Sequence, residues 1–140
     1  MTNVIKYNAL GHLSNERAIH SEFLYLLFNF TFSKMIKKTS HILSLIKSKI
    51  LFKDPDAEII LFGSHAKGTS NKNSDYDILI LLNRKKVNRD IEKEFREALF
   101  DVELETGQPI STLVFSKNDW EQRHSITPLY RNIKSDGVRL

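Results

Sequence analysis

The chain is expected to fold as a small α/β (α+β) domain, a mixed β-sheet with helices packed against it. Two short apolar runs, Glu58–Phe62 (EIILF) and Tyr76–Leu82 (YDILILL), have the length and β-branched content of buried strands. Apolar residues recur at helical spacing before and after them, at Ile36, Ile42, Leu43, Leu45, Ile46 and Ile50 and again at Ile91, Phe95, Ala98, Leu99 and Val102. In chain order the elements read helix, strand, turn, strand, helix, strand and two further helices, which implies a mixed sheet with helices against it.

Each element has local punctuation. The first amphipathic helix is predicted over residues 36–51, and Asp54-Pro55-Asp56 breaks it and leads into the first strand. Residues 83–88 form a polar, basic connection after the second strand, and Asn88 or Asp90 caps the helix over 91–105. Gly107 fits the position just past that helix, and Pro109 prevents its continuation. A third strand follows at 110–115. Ser116 or Asn118 then caps a short helix through Trp120, and Pro128 opens a last helix ending near Asp136-Gly137.

The most informative stretch joins the first two strands. The first apolar run stops at Gly63-Ser64, and residues 65–74 later the chain reads Asp75-Tyr76-Asp77. Side chains alternate along a strand, so Asp75 and Asp77 point to one face, a few ångströms apart. Two like charges held that close are costly unless a cation lies between them or one takes up a proton. Oxygen-only ligands of this kind suit Mg2+ or Mn2+. Gly63 and Gly68 allow backbone conformations closed to other residues, Ser64 offers a hydroxyl and Lys67 a mobile positive charge. A divalent-cation site beside such a turn is a place for a nucleoside triphosphate. Taken singly, a Gly-Ser pair is usually a turn and an Asp-x-Asp a solvated strand end; the joint arrangement is far more specific. The candidate residues are therefore Asp75 and Asp77 for metal and catalysis, and Gly63, Ser64, Lys67 and Ser74 for the nucleotide.

Residues 63–82 (GSHAKGTSNKNSDYDILILL) resemble the signature of the polymerase-beta-type nucleotidyltransferase superfamily, and in particular its small members called minimal nucleotidyltransferases. The family spacing, Gly-Ser, ten residues, Asp-x-Asp, is matched without a gap. Family members usually carry arginine where this chain has Lys67, which keeps the charge and loses a bidentate fork. The likeness covers roughly residues 36–140. It implies the polymerase-beta-like nucleotidyltransferase fold and transfer of a nucleoside monophosphate, AMP from ATP, to an acceptor hydroxyl with Mg2+ or Mn2+. It also implies an antitoxin role beside a helical HEPN-domain (higher eukaryotes and prokaryotes nucleotide-binding) partner, which such enzymes adenylylate. The alternative is a nucleotide-binding or regulatory subunit with little or no turnover.

One departure bears on that choice. Active members usually carry a third carboxylate on a neighbouring strand, in an apolar-Asp-apolar-apolar context. The matching strand here is Ile110-Ser111-Thr112-Leu113-Val114-Phe115, where Ser111 or, one place on, Thr112 stands at the acid's position. A hydroxyl supplies neither the charge nor a base near neutral pH. Glu103, Glu105 and Asp119 lie nearby in sequence but on helix ends.

Composition sets the remaining bounds. At 140 residues, 41% hydrophobic and 10% aromatic, the chain can close one core rather than two. Without cysteine there is no disulfide framework and no thiolate metal site, which is compatible with the cytoplasm. The net charge of +4 is scattered rather than gathered in an aromatic-interleaved stripe, so it reads as a solvated surface that attracts polyphosphate, not as a nucleic-acid face. Residues 1–34 are set apart as an extension of doubtful order, with residues 35–140 as the nucleotidyltransferase domain. The extension holds an aromatic burst from Phe23 to Phe32, about half the length of a membrane span and without a signal-peptide pattern, so no membrane role is expected. Translation starting at Met35 is the expectation, with packing of the extension as an extra helix the alternative. His12, His20, His41 and His124 show no metal-ligand spacing. His65 is expected to be exposed, and Trp120 and Tyr130 to pack.

Overall fold

A computed structural model of the chain describes residues 8–140, with side chains from residue 21 onward; His12 and His20 lie outside those side chains. The chain divides into two compact units, residues 1–40 and 41–140. Helix α1 is assigned over Asn8–Lys53, so it begins well before residue 36, where the apolar pattern had placed the start. In the first unit the side chains of Phe23, Leu24, Phe28, Phe30 and Phe32 are all exposed, and Phe28 and Phe32 stack one helical turn apart. No described helix is long and apolar enough to cross a membrane.

The second unit holds the sheet. Strand β1 (Glu58–Phe62) runs into the short helix α2 (Gly63–Lys67), and β2 (Tyr76–Leu82) returns antiparallel beside β1. Helix α3 (Arg89–Thr106) then carries the chain to β3 (Ile110–Ser116), which lies parallel to β2. Helices α4 (Lys117–Arg123) and α5 (Pro128–Asp136) lead to a two-residue strand, β4 (Val138–Arg139), antiparallel to β1. The sheet order is β3-β2-β1-β4, a mixed sheet as expected.

Local chemistry explains the boundaries. Asn88, rather than Asp90, caps α3 by accepting from the Ile91 N–H, and Ser116, rather than Asn118, caps α4 by accepting from the Asp119 N–H. Thr127 caps α5 ahead of Pro128. Such side-chain caps each contribute about 1 kcal/mol. Gly107 ends α3 at φ +66°, and its N–H donates to the Glu103 carbonyl. The two-residue strand β4 has no counterpart in the sequence reading, because two residues cannot display a period and only their pairing with β1 defines them.

Alternation along β1 and β2 sorts the core onto the two faces of the sheet. Ile59, Leu61, Tyr76, Ile78, Ile80 and Leu82 pack with Ile42, Ile46 and Ile50 of α1 and with Phe95, Leu99 and Val102 of α3. Leu79 and Leu81 point the other way and pack with Trp120 of α4 and Ile133 of α5. Asp77 shares that second face by strand alternation. A strand buried on both sides needs a continuous apolar run, and YDILILL breaks it at Asp77 alone. That break is where the site lies.

Candidate functional site

Gly63 is the pivot of the site. It sits at φ +69°, in the left-handed region that glycine enters without penalty, and turns the chain from β1 into α2. A Cβ built on Gly63 would stand 2.1 Å from Asp77 Oδ2. The Asp77 carboxylate therefore rests against the bare α-carbon of the Gly-Ser turn. The register explains why, since Phe62 pairs with Asp77 across β1 and β2. Gly68 closes α2, also at φ +69°, but a Cβ there would meet nothing within 4 Å.

Asp77 is partly buried and Asp75, just ahead of β2, is exposed. Burial pushes the Asp77 carboxyl above its usual range, the negative charge of Asp75 adds to that rise, and His65 opposes it. Asp75 is thus near enough for its charge to disfavour ionisation of Asp77. Among the described residues no group of three or more His, Asp or Glu side chains could hold a metal ion. Asp75 and Asp77 offer carboxylate oxygens, the donor type that hard divalent cations take.

The loop residues are braced. The His65 ring stacks on Tyr76, with centroids 3.8 Å apart and planes 15° from parallel, and its Nε2 lies 3.2 Å from the Ser74 carbonyl. The expectation of an exposed His65 is therefore corrected: a loop whose two ends meet beside one strand brings the ring onto the tyrosine that starts that strand. The Ser74 hydroxyl accepts from the Asn71 N–H at 2.9 Å, and Asn71 Oδ1 accepts from the Asn73 N–H at 2.9 Å. Ser64 lies in the first turn of α2, where its carbonyl accepts from the Thr69 N–H at 3.0 Å. Phe62, at the N-cap of α2, offers no side-chain oxygen, so no side chain caps the first amides of the turn.

Lys67 is placed differently from a free phosphate ligand. Its Nζ lies 3.1 Å from Asp136 Oδ2, at the end of α5. Asp136 was not singled out in the sequence, and no spacing signal marks it, since only the docking of α5 beside α2 brings the two together.

The neighbouring strand bears on the choice between Ser111 and Thr112. Ser111 pairs in register with Asp77 and Thr112 with Ile78. Ser111 thus shares the face of Asp77, whereas Thr112 faces the α1 and α3 side. Glu103 is engaged elsewhere, its carboxylate accepting from the Ile110 N–H. Asp119 pairs with Arg123 at 3.4 Å. Trp120 is buried in the second core cluster, with Tyr130 packed against it and donating its hydroxyl hydrogen to Glu121.

The model of the family described as "Nucleotidyltransferase domain" matches residues 43–139. No curated protein matches. Among solved structures, a crystal structure of a toxin-antitoxin with AMP-PNP is similar, at 22% identity over 67% of this chain and 68% of that chain, with a TM-score of 0.49. With the family model spanning most of the chain and the Gly-Ser turn seated against the second aspartate of Asp-x-Asp, the chain belongs to the nucleotidyltransferase domain family, in line with its resemblance to the polymerase-beta type.

Proposed function

We propose that the protein transfers a nucleoside monophosphate, AMP from ATP, to an acceptor hydroxyl. The observation that carries this reading is the Asp75–Asp77 pair, with Asp77 half-buried against Gly63 and its carboxyl raised by burial and by Asp75. In this reading Gly63 and Ser64 hold the terminal phosphates and Ser74 braces the loop between turn and strand. Asp75 and Asp77 would hold Mg2+ or Mn2+, which when bound supplies charge neutralisation to the triphosphate. The acceptor oxygen forms a bond to the α-phosphorus as the bond to pyrophosphate breaks, in line, and positioning does most of the work. The acceptor's proton passes to solvent, because Ser111, in register beside Asp77, is no base near neutral pH. Incubation of the full chain with labelled ATP, Mg2+ and host lysate tests the proposal. Label retained on an acceptor is expected, and nucleotide binding without any transfer would sink turnover.

A second reading has its own observation. Ser111 lies in register beside Asp77, which supports reading it as the position of the third acid that the resemblance implies. In that reading the chain binds the nucleotide with slow or no turnover, as a regulatory or antitoxin subunit. Ser111→Asp separates the two. Placing a carboxylate in register with Asp77 is expected to tighten Mn2+ binding by roughly tenfold or more, in the range of one close charge pair, and to raise transfer. A folded variant with neither gain would remove Ser111 from the site.

The resemblance supports a HEPN-domain protein as partner and acceptor, and a cytoplasmic place for the pair. Co-expression with a small all-helical protein from a neighbouring gene tests this, with adenylylation of that protein as the expected outcome and an unmodified, unbound protein as the contrary one.

A further inference from the structure

The short helix α2 meets an acid at each end, Asp77 at Gly63 and Asp136 at Lys67. Asp77 approaches Gly63 from β2. On the other side, β4 pairs antiparallel with β1, with Leu61 opposite Val138. Asp136, the last residue of α5, directly precedes Gly137 and β4, and it meets α2 at its Lys67 end. The approach is held tightly. The Gly137 N–H donates to the Ile133 carbonyl at 2.9 Å, and a Cβ on Gly137 would come within 2.8 Å of Ile60 Cγ2. The carboxylate that ends α5 is thus fixed against α2, the short helix that the Gly-Ser turn opens, and it puts a negative charge on the element proposed to face a polyanion.

Lys67 answers that charge. It lies one helical turn beyond Gly63, and its ammonium meets Asp136 Oδ2 at 3.1 Å, while the Ser135 hydroxyl donates to Asp136 Oδ1 at 2.8 Å. The Asp136 carboxyl is held below its usual range by these two partners, the Ser135 hydroxyl first and Lys67 next. Both side chains of the ion pair are more than a third exposed, so the pair adds little to stability. Its consequence is local, because it joins the end of α2 to α5 and cancels a charge that would repel phosphate.

We propose that Lys67 and Asp136 form a positioning pair for the nucleotide turn, in which Lys67 acts by holding and neutralising Asp136 rather than by touching phosphate. This inference rests on the nucleotide reading above and makes Asp136, at the far end of the chain, a determinant of nucleotide affinity.

The two roles of Lys67 predict opposite patterns in calorimetric titration of the full chain with ATP and Mg2+. As a positioning residue, Lys67→Ala leaves Asp136 bare and is expected to weaken binding by roughly three- to tenfold, a deficit that shrinks as salt screens the repulsion. Asp136→Asn, which removes tether and charge together, is expected to weaken binding less. The double variant should return to the level of Asp136→Asn, with all three variants unfolding near the wild-type temperature. A direct phosphate contact would instead make Asp136→Asn bind as tightly as wild type or tighter, and leave the double variant as weak as Lys67→Ala. Either of those results overturns the pair while leaving the nucleotide site intact. Failure of the wild-type chain to bind ATP with Mg2+ overturns the site, and the pair with it.

Discussion

Gly63→Ala is expected to disable the nucleotide site with a single methyl group. The added Cβ would stand 2.1 Å from Asp77 Oδ2 and 3.0 Å from Asp77 Cγ, so the carboxylate has to leave its place. Alanine at φ +69° also carries the left-handed penalty of roughly 1–2 kcal/mol. For a domain of this size, that corresponds to a fall of several degrees in unfolding temperature. The obstruction falls on the first carbon of the side chain and on the Asp77 carboxylate. Gly68→Ala is the matched control, with the same φ of +69° but open space around its Cβ. It should show the strain and leave ATP binding close to wild type. Calorimetry with ATP and Mg2+ beside thermal unfolding reads both effects. Wild-type affinity in Gly63→Ala would mean that the Asp77 carboxylate is not part of the nucleotide site.

Asp77→Asn is expected to abolish transfer while making the metal-free protein more stable. Loss of one of two carboxylates from a divalent-cation site removes several kcal/mol of charge stabilisation, so transfer should fall by at least about a hundredfold. The effect on stability has the opposite sign. Burial first, and Asp75 second, raise the folded-state pKa of Asp77 above its unfolded value. The folded chain therefore holds this proton more tightly than the unfolded chain, and ionising Asp77 above its raised pKa costs stability. Asparagine removes that cost. Its advantage should be full at neutral pH and shrink as the pH falls from the raised folded pKa toward the unfolded value of 3.8. Asp75→Asn should lose transfer as well, with a smaller change in stability because Asp75 is exposed. Labelled-nucleotide incorporation and metal-free unfolding across pH measure the two halves. Full activity in both variants would end the assignment of the pair, and a less stable Asp77→Asn at neutral pH would refute the electrostatic account.

Most of the fold was legible because it is written in short-range signals. The apolar runs at Glu58–Phe62 and Tyr76–Leu82 form the strands read from them, and Gly107 and Pro128 mark the helix ends they were expected to mark. The spacing from Gly63-Ser64 to Asp75 and Asp77 brought the turn and the acids into one reading, because strand alternation is a local rule. Between Asn88 and Asp90, or Ser116 and Asn118, the sequence allowed either cap, and in the folded chain Asn88 and Ser116 make the capping bonds. The start of α1 was misplaced because its N-terminal part has no amphipathic period to read, with large apolar side chains exposed along residues 23–36.

What only the tertiary structure decided depends on residues far apart in the chain. The parallel register of β3 on β2 put Ser111, and not Thr112, on the face of Asp77, since a shift of one residue would turn every side chain to the opposite face. The pairing of β4 with β1 brought Asp136 to Lys67, and the antiparallel return of β2 laid Asp77 against Gly63. The sequence by itself determined which residues carry charge, turn the chain and form strands. Which carboxylate meets which turn was left to the packing of the sheet, because Coulomb and steric contacts act through space and leave no period in a linear chain.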